Sequence, residues 1–523
     1  MRRVIAFALA GAVLLPIGAC TALAPVDAHS GAHTGANGGR SPGHRAPAAA
    51  ARAGVAVPVR WAASGDVESA ADVDPRGVAG QDADHRPDRA DVGRRASDPP
   101  DADRLDADWW RAFGSAELDA LIARARAANH DVAAAAARVA QARARSGIAA
   151  AGLRPVVDAS AEATRVAAPG GSRDGDERIV DGFALGLAAR YEVDLWGRLD
   201  ATRRAAFAAE LASEFDRRTV ELTVIAEVAR CWLLAVGTAQ RERIADANRH
   251  SAQRLLDLVE ARMRAGHATA LDVAQQRRLV AAQARAVLRF AQQQVDARLA
   301  LATLLGLGEP VVLATDSLAS VSIPSVPAGV PSSLLDRRPD LARAEAELAA
   351  ADADVQAARA ALRPSLMLGA GLGSGGERLL SWFDRPLYSL AASLVAPVFD
   401  GGRRRSQVAL TIAQREQSLQ VYRKTVVAAF ADVQAALNQR DGYRRQARVQ
   451  ADELALARES LRLAESRYRA GAESMLTLLT AQRALQLAED EEIALRIAQS
   501  HAALALYRSL GGGWSIAEAT AGP

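Results

Sequence analysis

Arg262-Met263-Arg264-Ala265-Gly266 returns as Arg467-Tyr468-Arg469-Ala470-Gly471, with one change in five residues and a spacing of 205. The same spacing links Gly197 of Leu195-Trp196-Gly197-Arg198 to Gly402 of Asp400-Gly401-Gly402-Arg403. Upstream, Asn129-His130-Asp131-Val132 and Arg338-Pro339-Asp340-Leu341 open two Ala-rich segments that close on Leu153-Arg154-Pro155 and Leu362-Arg363-Pro364, at a spacing of 209. A near-constant offset over so long a stretch marks a tandem duplication, so the body is one unit used twice.

Each copy reads as a helix, two β segments and two long helices. Val156 to Val166 and Phe183 to Leu195 have the small, alternating composition of strands in the first copy; Ser365 to Gly373 and Tyr388 to Phe399 have it in the second. At about ten residues each, they match a membrane-spanning strand. Gly197 to Gly266 and Gly402 to Gly471 are both separations of 69 residues without proline, so each helical run reaches roughly 100 Å at 1.5 Å per residue. Leu211, Phe215, Leu222, Ile225, Ala229, Leu233 and Val236 keep one face apolar, and Leu454, Leu461 and Tyr468 recur at heptad spacing, as do Val273, Val280 and Val287 on the returning helix. Gly266 and Gly471 mark the turns of two long antiparallel hairpins.

The 523 residues are 50% apolar and carry a formal net charge of +3, which excludes an acidic disordered chain and a nucleic-acid-binding polycation. Only 22 residues are aromatic, so the apolar half is built from small side chains suited to closely approaching helices. Of the 64 basic residues only Lys424 is lysine, a bias that carries no functional reading. Two cysteines exclude a disulfide scaffold and a structural zinc site; Cys231, within Val228-Ala-Arg-Cys-Trp-Leu-Leu, reads as a small buried thiol. No metal or cofactor is expected, and a His29/His33 pair in a polar segment is a poor metal site.

Residues 1–19 read as a secretory signal, with Arg2 and Arg3 before an apolar run from Val4 to Ile17. Residues 20–104 are rich in Ala, Gly, Pro, Asp and Arg without periodicity and read as a linker. The duplicated body occupies 105–307 and 332–512, joined by 308–331 and followed by a tail at 513–523. Beyond the signal no run of about 18 uninterrupted apolar residues occurs, so any membrane crossing is expected to be β. Four strands cannot close a membrane barrel, because an open edge in lipid leaves backbone groups unpaired. Two chains would supply eight strands and three would supply twelve; symmetry permits both.

The motifs resemble a known family, the TolC-like outer-membrane efflux proteins, in the lipoprotein subgroup that includes OprM and NodT. The resemblance covers about residues 105–512. It is carried by Asp108-Trp-Trp-Arg-Ala-Phe113, Asn129-His-Asp131, Tyr191-Glu-Val-Asp-Leu-Trp-Gly-Arg198, Arg337-Arg-Pro-Asp-Leu341, Pro397-Val-Phe-Asp-Gly-Gly-Arg403 and Ala481-Gln-Arg483, in this order. Ile17-Gly18-Ala19-Cys20 resembles a lipobox, which implies cleavage before Cys20 and its lipidation; Thr21, where aspartate would signal inner-membrane retention, implies the outer membrane. The fold implied is mainly α with a membrane β portion: a homotrimer whose four strands per chain form a 12-stranded barrel, continued by coiled-coil hairpins as a periplasmic barrel. The function implied is the exit duct of a tripartite efflux pump, passively conducting drugs or other small molecules from a periplasmic adaptor and an inner-membrane transporter of the RND class. No step is chemical, and the chain carries no Walker A or His-Glu-x-x-His sequence. Gly371-Leu-Gly-Ser-Gly-Gly376 matches Gly-x-Gly-x-x-Gly but leads to another strand, so it reads as a strand-to-strand loop.

The resemblance also implies a gate just beyond the turns. Asp272 occupies the position whose carboxylate links neighbouring helices in closed family members, and Tyr468 matches a tyrosine that binds it. Glu473 stands where the best-known closed channel has an arginine, and Thr477 and Thr480 stand where it has constricting aspartates, so a salt bridge from 473 to Asp272 is excluded by sign and the constriction is less acidic. The turns with Gly266, His267, Gly471 and Ala472 match the tips that meet the adaptor, with Arg262, Arg264, Arg467 and Arg469 flanking them. Two other readings share part of the pattern. A type I protein-secretion outlet has the same duct, and a periplasmic coiled-coil adaptor lipoprotein has the heptads without paired strands at duplicated positions.

Overall fold

The computed structural model of the chain describes Gly54, Trp61 and residues 108–169, 177–326, 331, 334–376 and 386–514. The expected signal, Cys20, the His29/His33 pair, almost all of the 20–104 linker and most of the C-terminal tail lie outside the described residues. What is described belongs to the compact unit Gly43–Pro523.

A 3₁₀ turn (Trp109–Phe113) leads into α1 (Ala116–Ala128), α2 (His130–Ala151), β1 (Val156–Pro169), β2 (Glu177–Val193), α3 (Arg198–Arg264) and α4 (Ala270–Leu304). The second copy runs α5 (Leu334–Arg337), α6 (Pro339–Ala360), β3 (Ser365–Gly376), β4 (Pro386–Val395), α7 (Arg403–Arg469) and α8 (Met475–Ser509). The duplicated helices agree in length: 22 residues in α2 and α6, 67 in α3 and α7, 35 in α4 and α8. Local chemistry sets their starts. Asn129 caps α2 by accepting the Asp131 and Val132 N–H groups, Thr269 and Asp272 form a reciprocal capping box on α4, Ser474 caps α8, and Pro339 opens α6.

The strands form one antiparallel meander in the order β1-β2-β3-β4, so β2 of one copy pairs with β3 of the other. β4 stops at Val395, short of the expected Phe399, because Pro397 has no N–H to donate to a ladder. The Gly371–Gly376 run lies inside β3, not in a loop as expected from its sequence. Its alternate glycines fit a crowded face: a Cβ at Gly373 or Gly375 would stand 3.2 Å from the Leu185 carbonyl oxygen or 3.1 Å from that of Phe183.

The main core lies where α1, α3, α7 and α8 meet. Phe113, Leu118, Ile122, Trp232 and Leu233 are fully enclosed there, and the Trp109 ring stacks on Tyr507 at 4.8 Å. Cys231 is buried, and burial pushes its thiol up, the reading its surroundings suggested. In the α3 seam Ile225, Ala229, Leu233 and Val236 are buried, whereas Leu211 is exposed. The stretch 308–331, read as a linker, is packed in its described part: Leu318 is enclosed, its N–H donates to Gln240, and Arg496 donates to the Leu318 and Val321 carbonyls. α3 also contains the one stretch, among the described residues, apolar enough to span a bilayer as a helix, but 72% of that stretch is buried in protein. Its apolarity is used in packing.

Candidate functional site: a pore wall and its tips

The strand register sorts side chains into two faces. Leu187 pairs with Ala159 on one side and Leu372 on the other, and Leu372 pairs with Tyr388; in the same way Val157, Ala189, Ala370 and Leu390 lie in one row. Adding Phe183, Leu185, Tyr191, Val193, Leu366, Leu368, Ala392 and Leu394 by parity gives an apolar face across all four strands. The opposite face carries Asp158, Ser160, Glu162, Thr164, Arg190, Glu192, Ser389, Ser393 and the β3 glycines Gly369, Gly371, Gly373 and Gly375. From Phe183 to Val193 the apolar band extends about 33 Å along the strand, or about 25 Å in height at a tilt of about 40°, the apolar height of an outer-membrane barrel. At its far edge, on the same face, Arg165 and Asp181 form a two-bonded pair at 2.6 and 2.8 Å.

Polar contacts fix the sheet to the helices at the other edge. α3 and α7 both begin at a glycine, Gly197 and Gly402, whose missing side chain cannot cap, so aspartates from just upstream do so. Asp194 accepts the Leu199 and Asp200 N–H groups at 3.1 and 2.8 Å, and Asp400 accepts those of Gly402 and Arg404 at 3.1 and 3.2 Å. Trp196 donates to the Pro364 carbonyl at 2.7 Å with the Arg363 guanidinium 4.8 Å over its ring, which joins the first copy to the second. In the sequence Leu195-Trp-Gly-Arg198 shows only as a repeat marker, since its bond reaches a residue 168 positions away.

At the distant ends of the hairpins the two turns have the same geometry. His267 N–H bonds to the Arg262 carbonyl and Gly266 N–H to that of Met263; Ala472 and Gly471 do the same with Arg467 and Tyr468. These are Schellman turns, and they need the positive φ that Gly266 (77°) and Gly471 (75°) supply. A small core lies between the hairpins, containing Leu255, Val259, Val273, Tyr468, Met475 and Leu478. Leu271 and Leu476, 205 residues apart, are exposed in the first turns of the returning helices. The repeat spacing is the signal in the sequence that pairs them, and the heptad seams do not include either.

The expected gate residues sit at these tips in different roles. The Asp272 carboxylate is engaged in its capping box, accepting the Thr269 N–H and hydroxyl, both at 2.8 Å. Tyr468 is buried; burial raises its phenol, the Arg262 guanidinium lowers it, and the nearby Asp272 charge raises it again, with no hydrogen bond joining Asp272 and Tyr468 within the chain. Glu473 pairs with Arg467 at 3.3 Å and is held below the usual carboxylate range by the Ser474 N–H, Thr477 and Arg467. Thr477 and Thr480 are exposed, their hydroxyls meeting Ser474 and the Leu476 carbonyl. Of the tip arginines, Arg469 pairs with Glu465, Arg264 is exposed, and Arg262 is turned onto the second hairpin. Among the described residues no group of acids, histidines and cysteines is arranged to hold a metal ion.

The sequence profile described as "Outer membrane efflux protein" matches residues 121–307 and 330–512. The chain belongs to the outer membrane efflux protein family. It is similar to the pyoverdine export outer membrane protein OpmQ of Pseudomonas putida, 47% identical over 416 residues, which covers 78% of this chain and 88% of that one. It is also similar to the toluene efflux pump outer membrane protein TtgI of Pseudomonas putida, 34% identical over 70% of this chain and 78% of the other. Among solved structures, the outer-membrane channel OprN superposes with a TM-score of 0.74 at 30% identity, over 83% of this chain and 99% of that one. For this member of the efflux family, the apolar sheet face is thus the lipid face of an outer-membrane channel, the charged and glycine-rich face its lumen, and the hairpins its periplasmic extension.

Proposed function

We propose that the chain is the exit duct of a tripartite efflux pump, working as a homotrimer anchored by a lipid on Cys20 and fed by a periplasmic adaptor and an inner-membrane transporter of the RND class. The sorted faces of a four-stranded sheet whose edges, β1 and β4, pair with no other strand among the described residues carry this reading. A closed ring of copies satisfies those edges. Eight strands would enclose an interior just wide enough for side chains to fill, whereas twelve leave an aqueous passage for a charged, glycine-lined lumen. Relatives named for export of pyoverdine, solvents and toluene favour small molecules over a secreted protein as cargo, and the two OpmQ proteins, at 47 and 46% identity, favour a cargo of the pyoverdine class. Expression in a Pseudomonas putida strain lacking its own OpmQ should return pyoverdine to the medium. Protein that reaches the outer membrane and leaves export at the deletion level counts against this cargo.

The tips serve as gate and dock. In this reading three copies of Asp272 near a symmetry axis repel one another, a Tyr468 phenol holds each carboxylate aside in the closed trimer, and Thr477 and Thr480 leave the constriction uncharged. The docking surface comprises the turns at Gly266, His267, Gly471 and Ala472, the charges of Arg264 and Arg469, and the exposed Leu271 and Leu476. Asp272→Ala combined with Tyr468→Phe should raise conductance in planar bilayers; conductance equal to wild type removes both residues from the gate. A cysteine at Gly471 should crosslink to the adaptor in cells with an active pump.

A further inference from the structure

We propose that Arg262 is the residue that holds the gate closed within each chain, by clasping the first hairpin to the second at their tips. The proposal rests on the tips being the periplasmic gate. Arg262 stands in the last turn of α3; its Nη1 donates to the carbonyl of Tyr468, in the last turn of α7, and its guanidinium carbon lies 4.6 Å from the centre of the Tyr468 ring. The same carbonyl accepts the Gly471 N–H at 3.0 Å, so the bond reaches the turn that closes the second hairpin. One guanidinium therefore meets the C-terminal end of a 67-residue helix, where the dipole favours a cation, and the electron-rich face of a buried ring.

The duplication explains why Arg262 crosses over. Its counterpart one repeat later, Arg467, is kept in its own tip by Glu473 at 3.3 Å. The position equivalent to Glu473 in the first copy is Ala268, so that carboxylate is missing there. Asp272, the acid of the first tip, is committed to Thr269, and no carboxylate among the described residues pairs with Arg262. Two copies of one arginine thus do different work: the first tip lacks the carboxylate that Glu473 gives the second, and the second offers the Tyr468 ring where the first has Met263. Separation of α7 and α8 from α3 and α4 at the tip has to break the contact that results.

Ala268→Glu restores the missing acid and recaptures Arg262 without altering either member of the clasp; Arg262→Gln removes the charge directly. Each variant should shift the closed-to-open ratio about tenfold, the scale of one charge-assisted hydrogen bond with a ring contact. The readouts are open probability of the full-length protein in planar bilayers and the distance between spin labels at Arg264→Cys and Ala472→Cys. Label distances unchanged in both variants overturn the clasp. Labels that separate without a rise in open probability, while wild type conducts, overturn its role in the gate. If wild type itself does not conduct but the labels separate, the clasp stands and the channel reading fails.

Discussion

Asn129 and Arg338 occupy equivalent places in the two copies and perform one task with different chemistry. Asn129 donates to the carbonyl of Leu304, the last residue of α4, at 2.8 Å; Arg338 donates to that of Ser509, the last residue of α8, at 3.2 Å, with Asp340 and Asp432 balancing its charge. Each ties the start of its repeat to the end. Asn129→Ala removes a cap and orphans a carbonyl, so it should lower stability by about 1–2 kcal/mol, measured by thermal or denaturant melting in detergent. Gly511 lies against the same junction: a Cβ there would stand 1.8 Å from the Arg337 carbonyl oxygen, and its φ of +90° already disfavours any other residue. Gly511→Ala should therefore be much more damaging than Gly401→Ala, where positive φ is the only obstacle. Glu117 adds a pH dependence. Burial raises its carboxyl, but bonds from Trp232, Thr315 and Ala314 outweigh this and hold it low. A lowered folded value gives stability that is present above the ordinary carboxylate range and lost as pH falls through the lowered value. Glu117→Gln should flatten the acid limb of a melting-temperature profile. None of these junction contacts was legible in the sequence, because apart from Arg338–Asp340 they join residues distant in the chain, from 94 to 198 positions apart, whose types carry no spacing signal.

At the scale of elements, the sheet is the sensitive part. Leu390 lies mid-strand on the lipid face and Ser389 on the lumen face, and both are exposed in the single chain. Leu390→Arg should cost about 2–4 kcal/mol at the bilayer midplane and reduce the yield of assembled protein, whereas Ser389→Arg should assemble and change ion selectivity. Comparing heat-modifiable oligomer on gels checks the first effect, and reversal potentials check the second. Much of this level could be read in advance. Heptads and the absence of proline revealed the 67-residue helices, and glycines at the turns revealed the hairpin ends, because those signals are local backbone chemistry. Membrane-facing parity was harder, since alanine and glycine serve on both faces and only the register separates them. The sequence carries β4 too far because apolar Val398 and Phe399 continue its pattern past Pro397, which has no N–H for the ladder. Arg262 could not be told from Arg467, since the two motifs differ only at Met263 against Tyr468 and the carboxylate at Glu473, absent at Ala268, lies beyond them.

For the whole molecule, the duplication and the open sheet make one statement. A chain whose two copies share a four-stranded sheet, with an apolar outer face and edges at β1 and β4 that pair with no other strand among the described residues, is a fraction of a barrel. Alanine-rich helices suit the same end, since two hairpins per chain must pack side by side as a tube wall. Native mass measurement of the detergent-extracted outer-membrane particle tests this most directly. The account predicts three copies of the chain and hence twelve strands; a folded, membrane-inserted particle of one or two copies would contradict it.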